Sequence, residues 1–224
     1  PSNNFCTLNP LDNYYQASTF SNGNNTIVTS SSNYSYNTGI LGLSAGLWYY
    51  EVKVVDTAGT RNDVIGIAAA PPTSTIDFVG KTSETYSYNG DDGDIWTNET
   101  GTTYGDTFTT GDIIGVYVDL TANKLYFAKN GTVQNSGTGF SITAAASTAT
   151  GLYFPAISDY HSSQTGTYSL NFGNGYFGTT AVTSAVADEG GIGAFEYDPS
   201  AGTFDSASKD FRAICTKNIK AYGG

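Results

Sequence analysis

The sequence predicts an all-β fold, a two-sheet antiparallel β-sandwich, and three observations support this prediction. Apolar and polar residues alternate along many short segments, which is the pattern of strands with one face in a core. These segments are bounded by Gly, Asn, Asp or Pro, the residues that supply turns. No long window keeps the helical period of apolar residues. Many short strands separated by turns are typical of a β-sandwich.

Several segments carry the strand pattern. In chain order they are residues 47–55, 64–70, 113–120, 124–129, 152–157 and 168–172. The first of them, LWYYEVKVV, consists largely of the aromatic and β-branched residues that strands favour. Residues 121–123 predict a hairpin turn, and Asn130-Gly131 predicts a second one. Residues 183–189 have a helical period, but a helix of that length is unstable on its own.

The composition favours a folded domain and excludes several functional classes. The chain has 224 residues, 39% hydrophobic and 14% aromatic, and a chain of this length buries roughly 70% of its unfolded surface. Its 20 acidic and 9 basic residues give a net charge of −11, and the basic residues are scattered. A nucleic-acid-binding surface needs clustered basic residues, so no nucleic-acid partner is expected. No apolar run approaches the roughly 20 residues that span a bilayer, so no membrane insertion is expected.

Three motifs imitate catalytic or nucleotide-binding sites. Residues 42–46 match G-x-S-x-G, but a strand follows them directly, whereas a hydrolase nucleophile needs a strand-to-helix turn. Residues 173–178 match G-x-G-x-x-G without the β-α-β unit that binds a dinucleotide. Residues 80–82 imitate the end of a phosphate-binding loop, but Thr75 stands where its first Gly is required. We interpret all three as turns and expect no enzymatic activity.

Residues 89–94 (NGDDGD) form the strongest cluster of oxygen ligands. Calcium takes about six to eight oxygen ligands, so Asp91, Asp92 and Asp94 are candidate calcium ligands. The run lacks the distal Glu of an EF-hand, and a solvated turn is the alternative interpretation. A single His and two Cys cannot supply a zinc site at normal spacing. No cofactor is expected.

Cys6 and Cys215 lie near opposite ends of the chain. The termini of a domain frequently lie close together, so a disulfide between these residues would close a very long loop. Two buried free thiols are the alternative.

Aromatic residues next to predicted turns are the candidate ligand contacts. Exposed Tyr and Trp side chains give a large contact area at a small entropic cost, which suits protein or sugar recognition. These candidate residues are Tyr86, Tyr88, Trp96, Tyr104, Tyr160 and His161. By contrast, Trp48 and Tyr50 are predicted to lie in the core.

The strand segments resemble those of a known family. Residues 46–52 (GLWYYEV) resemble the G-x-W-Y-x-E-V strand of SPRY domains. Further matches follow in the expected order at residues 65–68, 111–116, 119–120, 125–131, 152–157 and 171–173. The resemblance implies a concanavalin-like sandwich over residues 1–175, with residues 176–224 as a C-terminal extension packed on the same domain. It also implies a module that binds partners, usually proteins, through loops at one end of the sandwich.

A narrower resemblance concerns the ends of the chain. Residues 5–12, 195–197 and 211–218 are similar to SPRY-type modules of bacteriophage structural proteins, which occur in long virion proteins such as tail fibres. Cys6 departs from this pattern, because a small residue such as Ala is expected there. A chain that starts at Pro1 and contains no Met fits a piece of a larger or processed protein.

These resemblances lead to three hypotheses about function. The first is a non-enzymatic bacteriophage virion module that contributes to particle structure or host attachment. It would bind other virion proteins, a host-surface receptor or a glycan at the virion surface or outside cells, and it could form a homo-oligomer. The second is a lectin-like carbohydrate-binding domain, which aromatic and Asp-rich loops could support. The third is an intracellular protein-interaction adaptor like the cellular SPRY domains.

Overall fold

Strands account for most of the regular structure in the computed structural model, which describes residues 3–13, 15, 17–57, 63–161 and 163–223. Strands β1 to β9 are Thr19–Ser21, Thr26–Val28, Ser35–Thr38, Leu47–Asp56, Asp63–Ala68, Thr85–Asn89, Asp94–Thr97, Thr100–Thr103 and Ile113–Asp119. Strands β10 to β17 are Lys124–Lys129, Thr132–Val133, Phe140–Ser141, Phe154–Asp159, Thr167–Asn171, Tyr176–Phe177, Thr180–Ala181 and Arg212–Ala213. The α-helix, α1, is Thr216–Tyr222. Among the described residues, no helix is long and apolar enough to cross a membrane.

Two large sheets form the body of the fold. The first has the strand order β1-β2-β14-β4-β9-β10-β11, with β12 paired to β10 and β17 paired to β4. The second has the order β3-β13-β5-β6-β7-β8, and β15 pairs with β16 in a small separate sheet. The pairs between described strands are antiparallel except for β17, which runs parallel to β4. The predicted all-β antiparallel sandwich is therefore confirmed.

Strand β4 is buried on both faces, because the first sheet has a core on each side. Successive side chains of a strand point to opposite faces. Trp48, Tyr50 and Val52 accordingly join the main core between the two sheets, as predicted for Trp48 and Tyr50. The Tyr50 ring stacks on Phe172 with ring centroids 5.4 Å apart. Tyr49 points the other way, into a second apolar cluster on the outer face.

The two predicted hairpin turns are present. Strands β9 and β10 pair from Asp119 with Lys124, and Asn123 between them adopts a positive φ of 54°. Strands β10 and β11 are joined by Asn130 and Gly131, whose φ angles are 48° and 79°. Asn and Gly tolerate this left-handed conformation better than other residues.

The segment after residue 175 covers the outer face of the first sheet. We call the aromatic cluster formed there the outer core, and its rings are Tyr49, Tyr117, Tyr126, Phe195, Phe204 and Phe211. The ring centroids of Tyr49 and Phe195 are 4.9 Å apart, and those of Tyr117 and Phe204 are 4.8 Å apart. Three tyrosines of the sheet are thus sealed from water by three phenylalanines of the C-terminal segment.

Glu51 of β4 fixes the C-terminal segment from inside the protein. Its carboxylate is fully buried. Oε1 accepts hydrogen bonds from Tyr197 N (2.8 Å) and Tyr49 Oη (3.0 Å), and Oε2 accepts from Glu196 N and Asn171 Nδ2 (both 3.0 Å). Burial raises the pKa of Glu51 to about 7, although these hydrogen bonds act in the opposite direction.

The segment with a helical period is too short to be a stable helix on its own, and it has no helix in the structure. Residues 183–189 do not form a helix, because Val186 pairs with Phe195 in an isolated β-bridge. The helix that does form, α1, lies beyond this segment and was not predicted. Its buried Asn218 donates hydrogen bonds to Asp188 Oδ2 (2.8 Å) and to Ala213 O (3.0 Å), so tertiary contacts stabilise a helix too short to be stable alone.

The two ends of the chain meet, and both cysteines are buried as free thiols. Phe5 forms a β-bridge with Cys215, and Cys6 N donates to Ile214 O at 2.9 Å. Burial raises the pKa of the Cys6 thiol to about 12, which keeps it protonated and unreactive. Of the two alternatives for these residues, the structure has the buried thiols and not the disulfide.

Candidate functional site

Three of the six predicted contact residues lie in the core, which corrects that part of the prediction. Tyr88 is fully buried, and Tyr86 and Tyr104 are each only 5% exposed. Tyr88 stacks on Phe127 with ring centroids 5.0 Å apart, and Tyr104 meets the same ring edge-on at 5.9 Å. Their neighbouring turns suggested loop positions, but the alternation of β6 directs Tyr86 and Tyr88 into the sandwich.

The other three predicted residues, Trp96, Tyr160 and His161, are half-buried at the surface. Trp96 and Tyr160 lie near each other, with ring centroids 6.4 Å apart. His161 follows Tyr160 in the chain, and its Nδ1 accepts a hydrogen bond from Ser163 N at 3.2 Å. The structure therefore brings two of the predicted aromatic residues together.

Two aromatic residues that sequence analysis missed complete the group. The Phe78 ring lies 5.0 Å from Tyr160, and the Tyr34 ring lies 6.2 Å from Tyr160 and 6.3 Å from Phe78. All four rings are half-buried. We call Tyr34, Phe78, Trp96 and Tyr160 the aromatic cluster. Tyr34 and Phe78 lie outside the segments with the predicted strand pattern, and an aromatic residue within a largely polar stretch is the signal that could have identified them.

The second sheet places three of these rings. Ser35 of β3 pairs with Asp159 of β13, so Tyr34 just before β3 and Tyr160 just after β13 leave the sheet at the same end. Trp96 lies on β7 of the same sheet. Asn89 at the end of β6 donates from Nδ2 to Tyr160 Oη at 3.2 Å and so helps to fix that ring.

The loop between β5 and β6 brings Phe78 to the cluster. Asp77 organises this loop by accepting hydrogen bonds from Thr73 N (2.6 Å), Ser74 N (3.0 Å) and Lys81 Nζ (3.0 Å). Partial burial raises the pKa of Asp77, but the bonds from Thr73, Lys81 and Ser74 outweigh it and lower that pKa to about 2. The carboxylate is therefore ionised at neutral pH and holds the loop closed.

Two carboxylates border the indole of Trp96. Asp92 Oδ2 accepts a hydrogen bond from Trp96 Nε1 at 3.1 Å. Asp94 precedes Trp96 by two residues on β7 and so shares its face of the sheet. Gly101 of β8 lies beneath both, since a Cβ built there would be 2.8 Å from Asp94 Oδ2 and 3.1 Å from Trp96 Cε2. The lack of a side chain at Gly101 leaves room for this arrangement.

The electrostatic potential at the surface around Tyr160 is negative. Burial raises the pKa of the Tyr160 hydroxyl, and the charges of Asp92 and Asp91 raise it further, while the hydrogen bond from Asn89 lowers it. Burial is the largest cause of this upward shift, and the carboxylates at the edge of the cluster add to it because a negative field disfavours a phenolate.

The acidic turn shows none of the convergence that a calcium site needs. Asp91 and Asp92 are exposed, and Asp92 Oδ1 accepts a hydrogen bond from the backbone N of Asp94 at 2.9 Å. Within the described part of the chain, no group of three or more His, Cys, Asp and Glu side chains is arranged to hold a metal ion. The solvated turn, the alternative interpretation of this segment, fits the geometry.

Two of the motifs that imitate other sites lie in turns and loops, and the third, residues 173–178, runs from the turn after β14 into β15. Ser44 Oγ donates to the carbonyl of Gly223 at 2.8 Å, so the predicted turn before β4 contacts the C-terminal end of the described chain. Gly173 has a φ of 112° in the turn after β14. Lys81 is in an ion pair with Asp77 at 3.0 Å.

Comparison with known proteins shows the family. The sequence profile of the SPRY domain matches residues 47–175, more than half of the chain. The Ran-binding proteins 9/10 homolog of Drosophila melanogaster is 38% identical over 90 residues, which are 39% of this chain and 9% of that protein. Ran-binding protein 9 of Homo sapiens is 39% identical over 90 residues, which are 39% of this chain and 12% of that protein.

A plant protein gives a longer match. The E3 ubiquitin-protein ligase RKP of Arabidopsis thaliana is 33% identical over 130 residues, which are 57% of this chain and 9% of that protein. The chain thus spans only a small part of the length of these relatives.

Solved structures agree on the fold. The SPRY domain of human HERC1 superimposes with a TM-score of 0.59 at 19% identity and covers 73% of this chain and 96% of that chain. The stonustoxin structure gives a TM-score of 0.53 at 20% identity and covers 75% of this chain and 27% of that chain. At such low identity these matches support the fold alone. By its profile match and its sandwich, the chain belongs to the SPRY domain family.

Proposed function

We propose that this chain is a non-enzymatic protein-interaction module that uses the aromatic cluster as its contact surface. The observation that carries the proposal is the grouping of Tyr34, Phe78, Trp96 and Tyr160, whose half-buried rings lie 5.0 to 6.4 Å apart at the surface of the second sheet. Tyr and Trp dominate the binding energy of many protein interfaces, because they give a large contact area with little conformational entropy to lose.

Rigidity of the cluster supports this role. Tyr160 is held by Asn89, Trp96 by Asp92, and the loop of Phe78 by the hydrogen bonds of Asp77. A surface whose side chains are already ordered loses less entropy when a partner binds. Such a surface therefore suits recognition of a protein.

The family also supports an interaction role. SPRY domains bind protein partners, and the names of two relatives describe Ran-binding proteins. An intracellular protein-interaction adaptor agrees with these relatives better than a bacteriophage virion module does. The virion role, its partners, the virion-surface or extracellular location and the homo-oligomer stay predictions.

Affinity capture tests the proposal. The wild-type chain, Trp96→Ala, Tyr160→Ala and the control Tyr176→Ala are immobilised in equal amounts, and captured proteins from a eukaryotic cell extract are quantified by mass spectrometry. Tyr176 is a suitable control because it is 48% exposed and lies outside the cluster. We expect Trp96→Ala and Tyr160→Ala to reduce the specific partners about tenfold. Equal capture by all four proteins would contradict the proposal.

The lectin hypothesis makes a different prediction for the same surface. Aromatic rings beside carboxylates also suit a sugar, so a glycan array probed with the wild-type chain and Trp96→Ala separates the two functions. Binding to a glycan that Trp96→Ala abolishes would favour the lectin. Protein capture without glycan binding would favour the interaction module.

A further inference from the structure

We propose that the aromatic cluster recognises a basic segment of its protein partner, in which an arginine or lysine side chain stacks on Trp96 and binds Asp92 and Asp94. This inference rests on the proposed function and names the chemical class of the partner. It identifies one end of the cluster, the indole with its two carboxylates, as the part that selects the ligand.

The first step is the placement of the two carboxylates. Asp92 touches the edge of the indole through its bond to Nε1, and Asp94 lies over Gly101 beside the same ring. A guanidinium or ammonium group seated on Trp96 would therefore have carboxylate oxygens within reach at the ring edge. An aromatic face attracts a cation through its quadrupole, and adjacent carboxylates add charge-assisted hydrogen bonds.

The second step is the absence of competing bases. Asp92 and Asp94 have no salt-bridge partner among the residues that the structure describes. Lys81, the basic residue in the loop that carries Phe78, is already bound to Asp77 at 3.0 Å. The two carboxylates at the indole thus offer a charge that a partner can complement.

The third step is the sign of the surrounding field. The chain carries a net charge of −11, and the charges of Asp92 and Asp91 reach the Tyr160 hydroxyl. Such a field attracts basic segments and repels acidic ones, which gives specificity as well as faster association at low salt. The remaining rings, Tyr34 and Phe78, would pack on the aliphatic stems and neighbouring apolar residues of the segment.

Selection from a random 12-residue peptide library tests the inference. The wild-type chain is the bait, and Trp96→Ala is used for counter-selection to remove peptides that bind elsewhere. We expect the recovered peptides to be enriched in Arg and Lys. Affinity is then measured by calorimetry for a recovered peptide and for versions in which each basic residue is replaced by Gln. One such replacement should weaken binding about tenfold.

Charge-neutral variants supply the second measurement. Asp92→Asn combined with Asp94→Asn should weaken binding of the selected peptide about three- to tenfold and reduce its dependence on salt. Asp210→Asn combined with Glu189→Gln is the matched control, because it removes the same charge from exposed positions in the C-terminal segment. Thermal melting of both double variants verifies that they are folded.

The outcomes separate this inference from the proposed function. Peptides that need Trp96 but are neutral or acidic, or that bind the Asp92/Asp94 double variant as tightly as the wild type, would overturn the basic-segment inference alone. A selection without any peptide that depends on Trp96 would contradict the inference and the peptide-binding form of the proposed function together. Equal weakening by the control double variant would show a general effect of net charge and would also overturn the inference.

Discussion

At the scale of single residues, burial separates the aromatic side chains that build the fold from those that are available for binding. Tyr88 is fully buried against Phe127, whereas Trp96 is half-buried next to Tyr160. The two residues flank the same Gly- and Asp-rich turn, residues 89–94, which Tyr88 precedes and Trp96 follows. The position of each side chain relative to the two faces of its strand decides its role.

Tyr88→Ala and Trp96→Ala should therefore differ strongly in stability. We expect Tyr88→Ala to lower the free energy of unfolding by about 3 to 5 kcal/mol, because it leaves a cavity in the main core. Trp96→Ala should cost about 1 kcal/mol, because part of the indole already faces water. Urea denaturation followed by circular dichroism measures both values. Similar losses for the two variants would contradict the assignment of Trp96 to the surface.

Glu51 makes folding stability depend on pH. Its pKa is raised to about 7 by burial, so the folded protein binds this proton more tightly than the unfolded chain does. The stabilisation that this tighter proton binding gives is therefore complete below the ordinary Glu pKa of 4.5. The free energy of unfolding should fall by about 3 kcal/mol as the pH rises from about 4.5 to 7. Urea unfolding at several pH values measures this slope.

Glu51→Gln is the matching variant. The amide keeps one acceptor oxygen but turns an NH₂ group toward two donors, so we expect a loss of about 2 to 3 kcal/mol. It should also remove the part of the pH slope that Glu51 causes. A slope identical to that of the wild type would assign the pH dependence to other groups.

At the scale of elements, the loop between β5 and β6 supports one ring of the aromatic cluster. Asp77 ties Thr73, Ser74 and Lys81 together, and the next residue, Phe78, contacts Tyr160. A change at Asp77 therefore acts on the aromatic cluster from outside it. The loop is an ordered support for one ring of the site.

Asp77→Asn should loosen this loop without unfolding the sandwich. We expect the Ser74 amide to exchange with deuterium about tenfold faster, and partner binding to weaken as Phe78 loses its position. The pKa of Asp77 is lowered to about 2, so the stabilisation that its carboxylate gives the loop is complete above the ordinary pKa of 3.8. This stabilisation is lost as the pH falls through about 2. Asp210→Asn, at an exposed position, is the control. Unchanged exchange at Ser74 would contradict the role of Asp77.

At the scale of the whole molecule, the C-terminal segment packs against the first sheet. It supplies three rings of the outer core and the two backbone N–H groups that bind Glu51. It also supplies β17, which pairs with β4. These contacts extend the sandwich beyond the residues matched by the SPRY profile, which end at residue 175.

Truncation after residue 175 should abolish stable folding. The shortened chain would expose Tyr49, Tyr117 and Tyr126 and would leave the Glu51 carboxylate without two of its donors. We expect aggregation or loss of a cooperative thermal transition, measured by scanning calorimetry and by binding of a hydrophobic dye. Phe204→Ala in the full chain is a smaller change, and it should lower the free energy of unfolding by about 3 to 5 kcal/mol. A truncated chain with an unchanged Tm would show that the extension is dispensable.

The sequence alone determined the fold class and six of the 17 described strands, among them β4 and β9, the two longest. The alternation of apolar and polar residues in segments such as residues 47–55 predicts a strand from the local sequence. Successive side chains of a strand point to opposite faces, whichever element the strand packs against. The turn at Asn130-Gly131 is also predicted from the local sequence, because it depends on the backbone conformations of these two residues. The order of these segments was also sufficient for the resemblance to SPRY domains.

Only the tertiary structure decided which aromatic residues form the candidate site. Tyr34, Phe78, Trp96 and Tyr160 come from four separate segments, and strand pairing together with the loop held by Asp77 brings them into contact. The same is true of helix α1, whose stability depends on contacts with distant residues. The periodicity of a segment shows which of its side chains face a core. Contacts between segments that are distant in the sequence depend instead on the path of the whole chain.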